Sequence, residues 1–480
     1  MDYEVVVGLE THTELITDSK LFCGCSAKFG SEPNTQTCPI CLGLPGVLPV
    51  MNKKAFEHSL KASLALHCEI NGFANFDRKN YYYPDLPKNY QISQNYLNIG
   101  TNGSIDLDIN GKKRRIGINN VHLEEDAGKL VHPETAGANY SLVDFNRAGV
   151  PLLEIVTEPD MRSVEEVESY MQTLRNILLY IGVSDCKMQE GSLRFEASIS
   201  LRTKGSETLG NRVEIKNLNS MKAVSKVLEY EISRQSELLD KGEEALLETR
   251  LWDEVNGVSK RMRLKEEAHD YRYFPEPDLA PVLINQEWID EVKSTIPELP
   301  VIRRQRFLEE YLISDYDASI LTESRSLADY FEECVKLTQA SAKEVSNWIT
   351  NDVLRELNER KIEIQEFTVS PKMLAGLIEI KPAIGNANAK EVLIEMVNTG
   401  RSARSIADEK KLSQLSNVDE LDQIAAKIIE ENPKVIEDYE NGKKNALAFL
   451  IGQTMKATKG KANPKILTEI FKEKLATGSR

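Results

Sequence analysis

The feature that most constrains the fold is a change of hydrophobic period near residue 295. Before it, apolar residues recur at every second position in "YEVVVGLETH", "RRIGINNVHLEE", "GVPLLEIVTE", "SLRFEASISLR" and "NRVEIKNL". That is the period of a strand with one face buried. Two longer helical patterns interrupt these runs, one from Ser163 to Gly182 and one from Asn219 to Gly242, each with a capping residue at its start and glycine at its end. Past the proline-marked "STIPELPVIRRQRF" the apolar spacing becomes 3.6, as in "SLADYFEECVKL" and "NAKEVLIEMVNTG". Strands without regular βα alternation, followed by helices, predict an α+β fold with a mostly antiparallel sheet and two all-α domains after it. The expected boundaries are 1–293, 294–406 and 407–480.

The chain has 480 residues and a formal net charge of −15, which excludes wholesale binding along a nucleic-acid backbone. The charge is uneven. From 441 onward Lys443, Lys444, Lys456, Lys459, Lys461, Lys465, Lys472, Lys474 and Arg480 face only Glu469 and Glu473, so a basic tail is attached to an acidic body. No apolar run approaches the roughly 20 residues of a membrane span, and the first residues enter a strand pattern directly, so a cytoplasmic protein without membrane contact is expected. There is no P-loop, no strand–GxGxxG–helix fingerprint and no GxSxG elbow.

Seven cysteines without a leader argue against a disulfide framework. Four are clustered: Cys23 and Cys25, then Cys38 and Cys41, as C-x-C, twelve residues, C-x-x-C. Two close pairs at the ends of a polar loop match a tetrahedral four-thiolate zinc site, and a closed site of this kind staples a loop. Unmetallated thiols are the alternative. Cys68, Cys186 and Cys334 read as small buried hydrophobes.

Side chains alternate across a strand, so each acid can be assigned a face. Glu125 shares one with Val121 and Leu123, Glu154 with Leu152 and Val156, and Glu10, His12 and Glu14 with Val6. A carboxylate among apolar neighbours costs several kcal/mol unless it is paired or bound to a metal. This leaves two readings: a divalent-cation site, or buried ion pairs with Arg147 or Arg194. Arg194 and Glu196 share one strand face, as do Glu214 and Lys216, which fits either a solvated surface or a floor for phosphates. "DRKNYYYPDLPKNYQISQ" sets Tyr81 and Tyr82 between Lys79 and Lys88, and "HDYRYFPEPD", with His269 and Arg272, has the same character. Such stretches either stack a base beside phosphate or pack on themselves.

Together, "GLETH", the four-cysteine loop, "KNYYYPDLPKNYQISQ", "LEEDAGK", "VDFNRAGVPLLEIVTEPD", "RVEIKNLNS", "HDYRYFPEPDL" and the tail "GKKNALAFLIGQTMKATKGKANPK" resemble the B-subunit family of the tRNA-dependent amidotransferases, in order and over nearly the whole chain. The resemblance implies a kinase and tRNA binder with a cradle similar to the glutamine synthetase superfamily. It implies ATP, Mg²⁺ and a structural Zn²⁺ as cofactors. It implies an amidase (the A subunit) and a small C subunit as partners in a heterotrimer, with misacylated tRNA(Gln) or tRNA(Asn) as substrate and the tail on the tRNA. On this reading Glu10, His12, Glu125 and Glu154 hold the metal, and Cys23, Cys25, Cys38 and Cys41 hold zinc. Glu125, Lys79, Lys88 and Arg194 act in catalysis, and Tyr81, Tyr82, Arg147 and Lys216 hold ATP. A stand-alone carboxylate–amine ligase and a zinc-bearing RNA scaffold without chemistry are the competing classes.

Overall fold

The computed structural model describes every residue except 1, 110, 134–138, 265–269, 413–417, 441–444, 459–461, 463 and 478–480. His269, Lys443, Lys444, Lys459, Lys461 and Arg480 lie outside the described residues. The chain forms two compact units, Met1–Pro300 and Val301–Arg480.

The first unit is built on a nine-stranded sheet whose central strand is the first in the chain, Tyr3–Glu14. On one side of it follow Pro151–Thr157, Lys112–Glu125, Gly100–Ile109 and Glu69–Ile70. On the other follow Leu193–Thr203, Val213–Lys216, Glu248–Asp253 and Val258–Leu264. All pairings are antiparallel except that between Val213–Lys216 and Glu248–Asp253. The fold is therefore mixed α/β with a large, mostly antiparallel sheet.

The alternation read from the sequence determines how the sheet is used. Val7, Leu9, Leu153, Ile155, Val121, Leu123, Ala197 and Ile199 are buried in one core with Val167, Tyr170, Leu174, Val224 and Leu228 from two helices. Those helices are Val164–Tyr180, capped by Ser163, and Met221–Asp240, capped by Ser220. Each cap's hydroxyl accepts a backbone N–H of the first turn, which satisfies a donor the helix leaves free. Gly182, at φ +69°, turns the chain out of the first helix, a conformation that an L side chain resists. With both helices on the core face, the opposite face is left to polar residues. Glu10, His12, Glu14 and Glu154 point there, where their apolar neighbours Val6 and Leu152 are buried yet lie outside the helix-packed core. Glu125 alone of the expected metal acids has the parity of the core face, with Val121 and Leu123.

The second unit is helical throughout its described residues. It contains two separate hydrophobic cores: one around Phe307, Phe331, Trp348, Leu377 and Val392, and a smaller one around Leu421, Leu450, Leu467 and Phe471. Apolar stripes of period 3.6 supply both.

Candidate active site

Strand register assembles the polar face. His12 stands opposite Glu154 on one side and Arg194 on the other, and Glu154 stands opposite His122. One layer across four strands thus reads His122, Glu154, His12, Arg194. In the next layer Glu14 faces Leu152, which faces Glu124. The Glu154 carboxylate lies 3.2 Å from both His12 Nε2 and His122 Nε2. Glu124 approaches the same two rings at 3.8 and 3.9 Å.

Burial disfavours a charged His12, but the Glu154 carboxylate and then Glu124 outweigh it and lift the ring to about 9. His122 is raised for the same reasons. Burial likewise opposes a charged Glu154, yet the two rings hold it well below the usual carboxylate range. The surrounding acids are less well satisfied. Burial, then Glu154, Glu196 and Glu214, push Glu10 up. Burial and then Asp126 push Glu14 to about 8, and its buried Oε1 has no hydrogen-bond partner. Carboxylates therefore crowd one another on this face, and burial with their mutual repulsion favours the protonated form of Glu10 and Glu14.

This donor set fits a divalent cation. One donor atom each from His12, Glu124 and Glu154 lies within 4.8 Å of the others. Neighbouring ligand atoms around an octahedral Mg²⁺ stand about 3 Å apart, so a small contraction would close the site. The imidazole of His12 in this set suits Mn²⁺ or Zn²⁺ better than Mg²⁺.

The structure separates Glu125 from this group, contrary to the expected common site. Adjacent strand residues face opposite sides, so Glu124 reaches His12 while Glu125 turns away. Glu125 pairs with Lys88 and accepts the backbone N–H of Ile92 at 2.9 Å. Lys88 Nζ lies over the rings of Tyr90 and Phe22, 5.3 and 5.9 Å from their centroids. The pair lines a cavity of about 110 Å³ together with Lys20, Cys23, Cys41 and Gly149. Glu10 lies on the same polar face but one layer away from His12, opposite Glu196.

The remaining expected residues divide between the site and its supports. Lys79 Nζ lies over Tyr271 and Tyr81, 5.3 and 5.9 Å from their centroids. Burial weakens its charge, but Glu124 and other neighbours raise its pKa well above that of an ordinary lysine. It therefore stays cationic beside the acidic cluster. Arg194 Nη1 is 2.9 Å from Asp126, and Arg147 Nε is 3.5 Å from the same carboxylate. Arg147 also donates to the Ala127 and Gly128 carbonyls at 3.0 and 2.8 Å. The ion pairs weighed for the inward acids thus exist, chiefly on Asp126, with Arg194 Nη1 also 4.0 Å from Glu14 Oε1. Lys216 pairs with Glu196 and, at 3.2 Å, with Glu214. Tyr82 is 81% exposed, away from these contacts.

Sequence reasoning missed His122 and Tyr271 as site residues. Strand parity puts His122 on the same face as Glu124. No local signal joins Tyr271 to Tyr81; the Arg78–Glu276 pair, at 2.7 and 2.8 Å, and the pairing of Phe274–Pro275 with Asp77–Asn80 bring their loops together.

The four cysteine sulfurs lie within 4.8 Å of one another, with Cys38 and Cys41 Sγ 3.9 Å apart. Sulfurs around a tetrahedral zinc stand about 3.8 Å apart, so the set fits that ion. The backbone N–H of Cys38 points at Cys41 Sγ from 3.2 Å. A hydrogen bond from Cys23, then the Cys38 backbone N–H and the Lys20 charge, outweigh burial and pull the Cys41 thiol down to about 4. Lys20 itself is fully buried and donates to the Gln36 and Phe145 carbonyls at 2.7 and 3.3 Å.

Residues 5–290 match the family described as the GatB/GatE catalytic domain, and residues 329–475 match the GatB domain. A protein of a Thermoanaerobacter species, named as the B subunit of aspartyl/glutamyl-tRNA(Asn/Gln) amidotransferase, is 53% identical over 478 residues, covering 99% of this chain and all of the relative. Proteins of the same name from Moorella thermoacetica and Caldicellulosiruptor saccharolyticus are 53% and 52% identical, each across 99% of this chain. Among the described residues, no helix is long and apolar enough to cross a membrane.

Proposed function

Because the chain belongs to the amidotransferase B-subunit family, we propose that it uses ATP to phosphorylate the side-chain carboxylate of Glu-tRNA(Gln), Asp-tRNA(Asn) or both, and then joins ammonia to the activated carbonyl. One observation carries the reading. Within the residues that match the catalytic-domain family, a divalent-cation donor set (His12, Glu124, Glu154) stands beside a lysine, Lys79, that stays charged over two tyrosine rings.

A carboxylate is a poor acyl donor because its oxygen leaves badly. Its attack on the γ-phosphorus of ATP, with ADP departing, makes an acyl phosphate. Ammonia then forms the C–N bond, phosphate departs, and the nitrogen sheds a proton. Phosphoryl transfer depends on positioning and on neutralising charge at the transferring group. A cation held by His12, Glu124 and Glu154 would supply part of that charge. Lys79 supplies more, and its tyrosine flanks keep water from it. Arg194, fixed by Asp126, closes the other side of the cluster. We place Lys88 and Glu125 where ammonia arrives, with Glu125 as the group that takes the proton. The four cysteines hold zinc as a structural ion, and the cradle shares the glutamine synthetase type of fold. Residues 294–406 form a helical domain, and the 407–480 segment, basic from 441 onward, contacts tRNA phosphates. Ammonia comes from an amidase partner, the A subunit, clasped by the small C subunit, and the whole acts in the cytoplasm, where charged tRNA is found.

The test supplies each misacylated tRNA with ATP, Mg²⁺ and either ammonium or glutamine, with and without an amidase partner. Ammonium should support amide formation by this chain alone; glutamine should support it only with the partner. Glutamine-dependent product from the pure chain would refute the division of labour. In the same assay, removal of 407–480 should weaken charged-tRNA binding by roughly tenfold or more, the loss expected on removing several phosphate contacts. Unchanged affinity would take the tail off the tRNA.

A further inference from the structure

The four-cysteine loop touches both members of the Lys88–Glu125 pair. The turn after Cys41 brings Gly43, at φ +66°, against the stem of Lys88. A Cβ at Gly43 would overlap Lys88 Cγ and stand 3.2 and 3.3 Å from its Cβ and Cα. Glycine is therefore required there twice, for its backbone conformation and for the close approach. On the other side Gly149 separates Cys41 from Glu125. A Cβ on Gly149 would lie 3.5 Å from Cys41 Cβ and 3.9 Å from Glu125 Oε2. Lys20 fixes this corner from beneath by binding Cys41 Sγ at 3.7 Å and the carbonyls of Gln36 and Phe145.

We infer that the four-cysteine loop is a positioning element for the Lys88–Glu125 pair, so that a metal held by the thiolates fixes the turn that presses Lys88 against Glu125. The geometry gives the direct route: Cys41 holds the turn, Gly43 carries it onto Lys88, and Gly149 sets the spacing to Glu125. A four-thiolate ion closes the loop between two chain segments twelve residues apart. Without it, only Lys20 and local hydrogen bonds hold the turn, and Lys88 gains room to leave the cavity. The ion takes no part in the chemistry; its effect is transmitted through packing. This inference rests on placing Lys88 and Glu125 at the amidation step.

Gly46 provides the control. It lies in the same loop at φ +88°, yet nothing stands within 4 Å of a Cβ built there. Gly46→Ala therefore imposes the backbone strain alone, and Gly43→Ala adds the collision with Lys88. The experiment uses the full chain, as purified and after zinc removal by a chelator, with metal content measured in every sample. The first readout is the rate at which an amine-directed reagent modifies Lys88, mapped by mass spectrometry. Lys88 should be modified roughly tenfold faster in Gly43→Ala at full zinc content and in the zinc-free wild type, as expected for a locally opened site, and at the wild-type rate in Gly46→Ala. The second readout is the ammonium-dependent amidation rate, which should fall in the same two samples while ATP-dependent phosphorylation of the charged tRNA persists. Lys88→Ala separates the two claims. If it leaves amidation intact, the placement of the pair at amidation fails. If it impairs amidation while Gly43→Ala and zinc removal change neither Lys88 labelling nor amidation, the positioning inference fails.

Discussion

Glu124→Gln is expected to lower ATP-dependent phosphorylation of the charged tRNA by about 10²- to 10³-fold, the usual effect of removing one preorganised group that stabilises transition-state charge. The change keeps shape and volume but removes the charge from the side chain that sits within 4 Å of both His12 and His122. It also weakens the field that keeps Lys79 cationic, since Glu124 is the foremost charge raising that lysine. Charged-tRNA binding should be unaffected, because the face lost is the chemical one. Glu125→Gln makes the comparison decisive. It breaks the Lys88 pair on the opposite side of the same strand, so it should spare phosphorylation and slow amidation. If Glu125→Gln abolished phosphorylation and Glu124→Gln did not, the assignment of the two neighbours would be reversed.

Glu231→Ala is expected to destabilise the first unit by about 3–5 kcal/mol, the cost of stripping one partner from a buried charged network. Glu231 is fully buried on the helix Met221–Asp240. It accepts from Arg234 Nη2 at 2.7 Å and Gln235 Nε2 at 3.0 Å, receives the Ser259 hydroxyl, and lies 3.3 Å from Arg250 Nε. Arg250 in turn reaches Glu248, which is 1% exposed, at 2.8 Å. Removing Glu231 leaves Arg234 and the largely buried Arg250 with only Glu248, which Arg261 already pairs. Urea unfolding of the two proteins measures the difference, and a loss below about 1 kcal/mol would mean that the network relaxes or hydrates. The network also predicts a pH dependence. Burial opposes a charged Glu231, but Arg234, Gln235 and Ser259 outweigh it and lower its pKa in the folded protein. Its contribution is therefore complete above the unfolded value of about 4.3 and is lost as pH falls through the lower folded value. Wild type should lose stability over that interval more steeply than Glu231→Gln.

Much of the molecule is legible in the sequence because its signals are local. The change from period two to period 3.6 separates sheet from helices, and the observed strands Tyr3–Glu14, Lys112–Glu125, Pro151–Thr157 and Leu193–Thr203 fall on the quoted runs. Ser163 and Gly182 mark a helix end to end because capping depends on only a few neighbouring residues. Cysteine spacing brings four thiols together because each close pair needs only a tight turn.

The candidate site was read in part. Alternation correctly put Glu125 with Val121 and Leu123, and Glu10, His12 and Glu14 on a common face. It could not tell which face would be covered. That was decided by the helices Val164–Tyr180 and Met221–Asp240 packing on the side of Val7 and Leu9, which left the side of His12 open and gave it Glu124 instead of Glu125. Tertiary structure likewise brought Tyr271 to Lys79 across nearly two hundred residues and turned Arg147 onto Asp126. The sequence by itself determined the period, the parity and the spacing of the donors, since these are set within a few residues of backbone. Which donors meet was decided only by packing, because burying an apolar face is a property of whole elements and the polar face is whatever that burial leaves exposed.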